Sequence, residues 1–119
     1  MTDTLEPLGG RAAIVGVGVT PQAMRGKAPP LTSTELCIDA FKLALDDAGL
    51  RKEQIDGLLT EPPMTDPRGT LHYLEVGQAL GLNPSFAASL LCGGATAGIL
   101  IQSAAMAVSS GLATYVACL

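Results

Sequence analysis

The densest chemistry in the chain lies between Leu90 and Ala97, where Leu90 and Leu91 lead into Cys92, Gly93, Gly94, Ala95, Thr96 and Ala97. An apolar run stops at two glycines, and small residues with helical spacing follow. A cysteine at such a junction faces the front end of a helix. The helix dipole and the unbonded N–H groups there stabilise a thiolate. The same N–H groups can receive the oxyanion of an attacked thioester. Acyl transfer by a nucleophilic cysteine needs that geometry.

The other reactive residues are weaker candidates. His72 is the only histidine, so a multi-histidine metal site within the chain is excluded. It stands beside Tyr73 at the start of a short helix. A surface or helix-capping role fits it best, because a histidine base needs a partner. Cys37 in a helix and Cys118 in a strand read as small core residues. Three cysteines without metal-ligand spacing predict reduced thiols in a cytoplasmic protein, and no metal. Met24 and Met64 sit in proline-rich loops of the kind that cover apolar ligands. Gly16-Val17-Gly18 hints at a dinucleotide fingerprint, but the third glycine position holds Pro21 and no helix opens directly after the turn. Those two glycines read instead as a place where neighbouring backbone comes close.

The elements that must position these residues follow from periodicity and punctuation. Residues 1–10 form a polar lead. Arg11 to Val19 is a short β-branched run, expected as a buried strand. Thr20 to Leu31 is a proline-containing loop. Thr32 and Glu35 match a capping box, so a helix opens there, with Leu36, Ala40, Phe41, Ala44, Leu45 and Ala48 as its core stripe and Gly49 as its end. Ile55 to Thr60 is a second strand. Glu61 to Thr70 is a loop. A helix with Leu71, Leu74 and Leu80 on its inner face ends at Gly81. Ser85 to Leu91 is a third strand, Ala95 to Ser110 a helix ending at Gly111, and Ala113 to Leu119 a fourth strand. Strand and helix alternate throughout, which implies an α/β fold with a mostly parallel sheet in one domain.

Composition narrows the class further. Hydrophobic residues make up 48% but aromatics only 3%, and there are 14 glycines, so the core is built from small side chains whose backbones lie close together. The formal net charge is −4 and the basic residues form no patch, which argues against nucleic acid. No Asp, Glu, Lys or Arg occurs from Val76 to Leu119. A free-standing domain exposes much of any such stretch, so further chain or a partner subunit is expected to cover it, and the 119 residues read as a piece of a larger fold. Ala95 to Ser110 is short for a membrane span of about 20 residues and carries Gln102, Ser103, Ser109 and Ser110. Residues 1–10 lack the basic start and apolar run of a secretory signal.

Several segments together resemble the N-terminal part of the thiolase superfamily. Ala13 to Gly18 followed by Thr20 resembles its first strand. Thr34-Glu35-Leu36 through Ala48-Gly49-Leu50 and Ile55-Asp56-Gly57 resemble its first helix and second strand. Ser89 to Gly111 is similar to its nucleophile turn and central buried helix. The resemblance implies a layered αβαβα architecture, a mostly parallel mixed sheet, and residues 1–119 as an incomplete part of one domain. The family's nucleophile motif is Cys-x-Ser/Thr-Gly. Counting back from Gly111 by the family's usual helix length puts Gly94 in the nucleophile slot and Thr96 in the Ser/Thr position. Anchoring on Cys92 instead gives Cys-Gly-Gly-Ala and displaces the helix by two residues, a rotation of roughly 200°.

The Gly94 register is similar to the lipid-transfer-protein-like branch, which includes aldolases that cleave side chains of steroid acyl-CoA substrates. It implies acyl-CoA as substrate, no covalently bound cofactor, and Gly93, Ala95 and Thr96 near the substrate. A homodimer and a small OB-fold acyl-CoA-binding partner are also implied. The alternatives are a true thiolase or acetyl-CoA acyltransferase with Cys92 as nucleophile, and a non-catalytic acyl-CoA- or lipid-binding subunit. For the aldolase and the thiolase alike, the resemblance implies that the remaining catalytic groups fall outside these 119 residues, so the segment alone is expected to be inactive.

Overall fold

A computed structural model describes residues 9–21, 31–64 and 71–119. The expected lead over 1–8 and most of the two proline-containing loops, with Met24, lie outside the described residues. Helix α1 spans Ser33–Ala48. Thr32 caps it: its Oγ1 accepts from the Glu35 N–H and donates to Glu35 Oε1, both at 3.1 Å. Gly49 ends it in the left-handed region at φ 68°, and the Leu50 N–H donates to Leu45 O at 3.1 Å. That closure turns Leu50 back onto the core. Helix α2, His72–Leu80, ends the same way at Gly81, with the Leu82 N–H on Gly77 O at 2.9 Å.

The strands are β1 (Gly57–Thr60), β2 (Phe86–Ser89) and β3 (Val116–Cys118), and helix α3 (Thr96–Ser109) joins the last two. They form a parallel sheet in the order β2-β1-β3. The central strand is buried along its whole length. On one face Leu58 packs with Phe41 of α1 and with Val76 and Leu80 of α2. Leu59 alternates to the other face, where α3 lies against β1 and β3. Asp56 ties the entry ends of the strands together. Its carboxylate accepts the N–H groups of Thr114 (2.9 Å) and Tyr115 (2.8 Å), and its carbonyl accepts that of Ser85 (2.9 Å).

Three expectations are corrected. Residues 11–19 are not a buried strand: Ile14 is 70% exposed and Val19 71%, and the segment pairs with no strand among the described residues. The segment lies along α1 instead. A Cβ on Gly16 would come within 2.5 Å of Ala44 O, and one on Gly18 would collide with Ala40 O. The Val17 N–H donates to Asp47 Oδ2 at 2.9 Å. The reading of these glycines as a close backbone approach is what the structure displays. An apolar cleft of about 740 Å³ separates the segment from β3.

The second correction concerns helix faces. Leu36 of α1 is exposed, and Cys37 and Ile38 pack against the core instead. In α2 the inner face is His72, Val76, Gly77 and Leu80, while Leu71 (54%) and Leu74 (47%) are exposed. Third, α3 is not enclosed on all sides. Thr96, Leu100 and Ala107 are buried against the sheet, and Ile101 and Met106 are exposed, because only one sheet lies against it among the described residues.

Candidate functional site

Parallel strands deliver their carboxyl ends to one side of the sheet, and ligands of open α/β sheets bind on that side. Here β1 ends at Thr60 and β2 at Ser89, whose hydroxyls lie 2.9 Å apart. Ser89 Oγ also accepts the Tyr73 N–H at 3.1 Å, which fixes the start of α2 over the two strand ends. The Leu90 N–H donates to Thr60 O at 2.9 Å, so β2 is held to β1 up to the residue where the chain turns.

The turn is compact. Gly93 adopts φ 57°, a left-handed conformation that favours glycine. The Ala95 N–H donates to Cys92 O at 3.1 Å and the Thr96 N–H to Gly93 O at 3.3 Å. Thr96 is 1% exposed. Its Oγ1 accepts the Cys92 N–H at 3.0 Å and donates to Gly93 O at 2.7 Å. The first regular helical bond is Ile99 N–H to Ala95 O at 3.1 Å. The amides of Ala97 and Gly98 therefore find no acceptor among the described residues, and both residues are exposed. No acidic side chain occupies the first turn of α3, so the positive end of its dipole is uncompensated. Two open amides at such an end can hold a carbonyl oxygen on which negative charge develops.

The sequence-derived candidates divide on this geometry. Cys92, Gly93, Gly94 and Ala95 are brought together, exposed, at the front of α3. Added Cβ atoms on Gly93 and Gly94 would meet nothing within 4 Å, so the space before them is open. Thr96 belongs to the same turn but is buried, with its hydroxyl engaged inside it. His72 is a correction: it is 3% exposed rather than on the surface, and neither ring nitrogen has a hydrogen-bond partner among the described residues. Spacing hid this, because Leu71 and Leu74 look like the inner face of α2. The Thr60–Ser89 hydroxyl pair was also missed. The available signal was their shared place at strand ends, each followed by a loop.

The three thiols are free. Burial raises the Cys37 thiol above its ordinary value of 9.0. Cys118 has exposed surface, but its sulfur turns inward to Leu100 O at 3.7 Å, and burial raises it too. The folded state thus keeps both thiols protonated where the unfolded chain begins to ionise. Their contribution to stability is complete below pH 9 and is lost as pH climbs through the folded values. Iodoacetamide at pH 8 is expected to label Cys92 first, with Cys37 and Cys118 lagging until the pH exceeds 9. Peptide mapping against time and pH checks this order.

No family model matches the chain. Two curated proteins are similar over nearly all of it. A 17-hydroxy-3-oxo-4-pregnene-20-carboxyl-CoA lyase of Mycobacterium tuberculosis is 36% identical over 110 residues, 92% of this chain and 26% of that protein. A steroid side-chain-cleaving aldolase of Thermomonospora curvata is 34% identical over 111 residues, 93% of this chain and 27% of that protein. Among solved structures, an Ltp2-ChsH2(DUF35) aldolase superposes with a TM-score of 0.74 at 33% identity, covering 94% of this chain and 28% of that one. A monomeric SCP2-thiolase-like protein of Mycobacterium smegmatis gives 0.66 at 27% identity, covering 88% of this chain and 22% of that one.

A parallel sheet whose second strand turns on glycines into a small-residue helix is, on these superpositions, part of a thiolase fold. Its homologues with that fold are steroid side-chain-cleaving aldolases. The chain spans about a quarter of the length of the curated relatives it matches.

Proposed function

We propose that the whole protein is an acyl-CoA-dependent carbon–carbon lyase that shortens a steroid or lipid side chain by retro-aldol cleavage. The carrying observation is the front of α3, where the amides of Ala97 and Gly98 stand open beside Gly94, a residue with no nucleophile. In that reaction a base removes the proton of a hydroxyl β to the thioester. The C–O bond becomes a carbonyl, the adjacent C–C bond breaks, and its electron pair passes into the thioester enolate. The enolate oxygen would lie against the two amides, and protonation at carbon then releases a shortened acyl-CoA. No acyl-enzyme is required, which fits a glycine in the nucleophile slot. The base comes from outside these 119 residues.

The similarity to the Ltp2-ChsH2(DUF35) aldolase, named for two components, supports a partner subunit here. The family resemblance suggests a small OB-fold acyl-CoA-binding protein and a homodimer. Among the described residues no helix is long and apolar enough to cross a membrane, and the cysteines are free, which supports a cytoplasmic setting. The test is incubation of the full-length protein, with its partner, with a 17-hydroxy steroid acyl-CoA. Mass spectrometry should find equal amounts of ketone and shortened acyl-CoA. Saturable binding without either product would make this a binding subunit instead. A second reading, acyl transfer through Cys92, draws on the exposure of that residue at the turn. Stoichiometric acylation of Cys92 by an acyl-CoA would establish it and sink the first.

A further inference from the structure

We infer that His72, Thr60 and Ser89 build a buried site for one water molecule, which joins the first turn of α2 to the ends of β1 and β2. The starting observation is an enclosed imidazole with nothing to bond. His72 is 3% exposed, and neither Nδ1 nor Nε2 has a hydrogen-bond partner among the described residues. A neutral ring carries one donor and one acceptor, and burying either unpaired is costly. Native interiors rarely leave such groups unmet by protein or by ordered water.

The fold sets this ring beside two hydroxyls. Thr60 shares a face of β1 with Leu58, and Leu58 packs there with Val76 and Leu80 of α2. His72 comes one helical turn before Val76 and belongs to the same inner face, so it stands at the Thr60 end of the strand. The Tyr73 N–H on Ser89 Oγ, at 3.1 Å, fixes that register. Thr60 is wholly buried, and its Oγ1 lies 2.9 Å from Ser89 Oγ.

The proton count leaves the hydroxyl pair unsaturated too. One hydroxyl proton lies between Thr60 and Ser89, and Ser89 Oγ also accepts the Tyr73 N–H. The second hydroxyl proton, whichever oxygen carries it, has no acceptor among the described residues. A water meets both needs: its oxygen accepts that proton, and one of its own protons goes to the bare ring nitrogen. Internal waters typically make about three such bonds to groups otherwise unsatisfied. The site goes beyond the aldolase reading and does not depend on it.

The test is crystallography of the full-length protein, at a resolution that shows ordered water, on wild type, His72→Phe and the double variant Thr60→Val/Ser89→Ala. The wild type should hold one water within about 3.2 Å of a His72 ring nitrogen and of the Thr60 or Ser89 hydroxyl oxygen. His72→Phe fills the place of the ring without a nitrogen and should lose the water. The double variant removes both hydroxyls and should lose it as well. A dry wild-type site, a ring nitrogen bonded directly to a protein group, or a water that persists in either variant overturns the inference. The wild-type structure decides even if neither variant folds.

Discussion

Gly94→Leu in the full-length protein is expected to lower kcat/KM for acyl-CoA cleavage by about a hundredfold or more, while Cys92→Ser stays within about threefold of wild type. Nothing lies within 4 Å of a Cβ built on Gly94, so the fold can accept a side chain there. The loss should therefore come from the space before the open amides rather than from unfolding. Denying an oxyanion its donors typically costs a hundredfold to a thousandfold in rate. Cys92 donates its backbone N–H to Thr96 Oγ1, and serine retains that bond. Steady-state kinetics beside a melting curve for each variant check both halves. A collapse of activity in Cys92→Ser with an intact fold would mean that the thiol is the nucleophile.

The largest expected loss of stability is at Asp56→Ala. The carboxylate accepts the Thr114 N–H at 2.9 Å and the Tyr115 N–H at 2.8 Å, and no other side chain among the described residues bonds these two amides. Hydrogen bonds to a charged acceptor contribute about 1.5–3 kcal/mol each, and solvent near Thr114 reduces the upper figure. A loss of roughly 2–4 kcal/mol follows, with about half recovered by Asp56→Asn, which keeps one acceptor oxygen. Urea denaturation of the three forms measures it. The Tyr115 carbonyl also accepts the N–H groups of Asp56 and Gly57 at 3.1 and 3.0 Å, so the damage should spread to the β1–β3 pairing.

Local signals in the sequence were read well. Thr32, Gly49 and Gly81 mark helix ends because a cap is settled by a few neighbouring residues, and all three act as predicted. The glycine turn into α3 is local in the same sense. What escaped prediction depends on distant partners. Residues 11–19 are a β-branched run that reads as a strand, but Gly16 and Gly18 seat it against Ala44 and Ala40 of α1, a contact no local pattern announces. The leucines of α2 suggested one inner face, whereas contact with Leu58 selected Val76 and Leu80 and buried His72 with them. At the site, residue types indicated the turn, but the engagement of Thr96 Oγ1 with both Cys92 and Gly93 is visible only in three dimensions.

The parallel order β2-β1-β3 has a consequence for biogenesis. No two of these strands can meet through a tight hairpin, and each must wait for an intervening helix to emerge. Leu59, wholly enclosed once α3 is in place, is synthesised long before Leu100 and Cys118. During translation the middle strand therefore leaves the ribosome with one flank bare, competent to stick to the wrong neighbour. Non-local parallel pairing of this kind is intrinsically slow to form and leaves strand edges exposed in the interval.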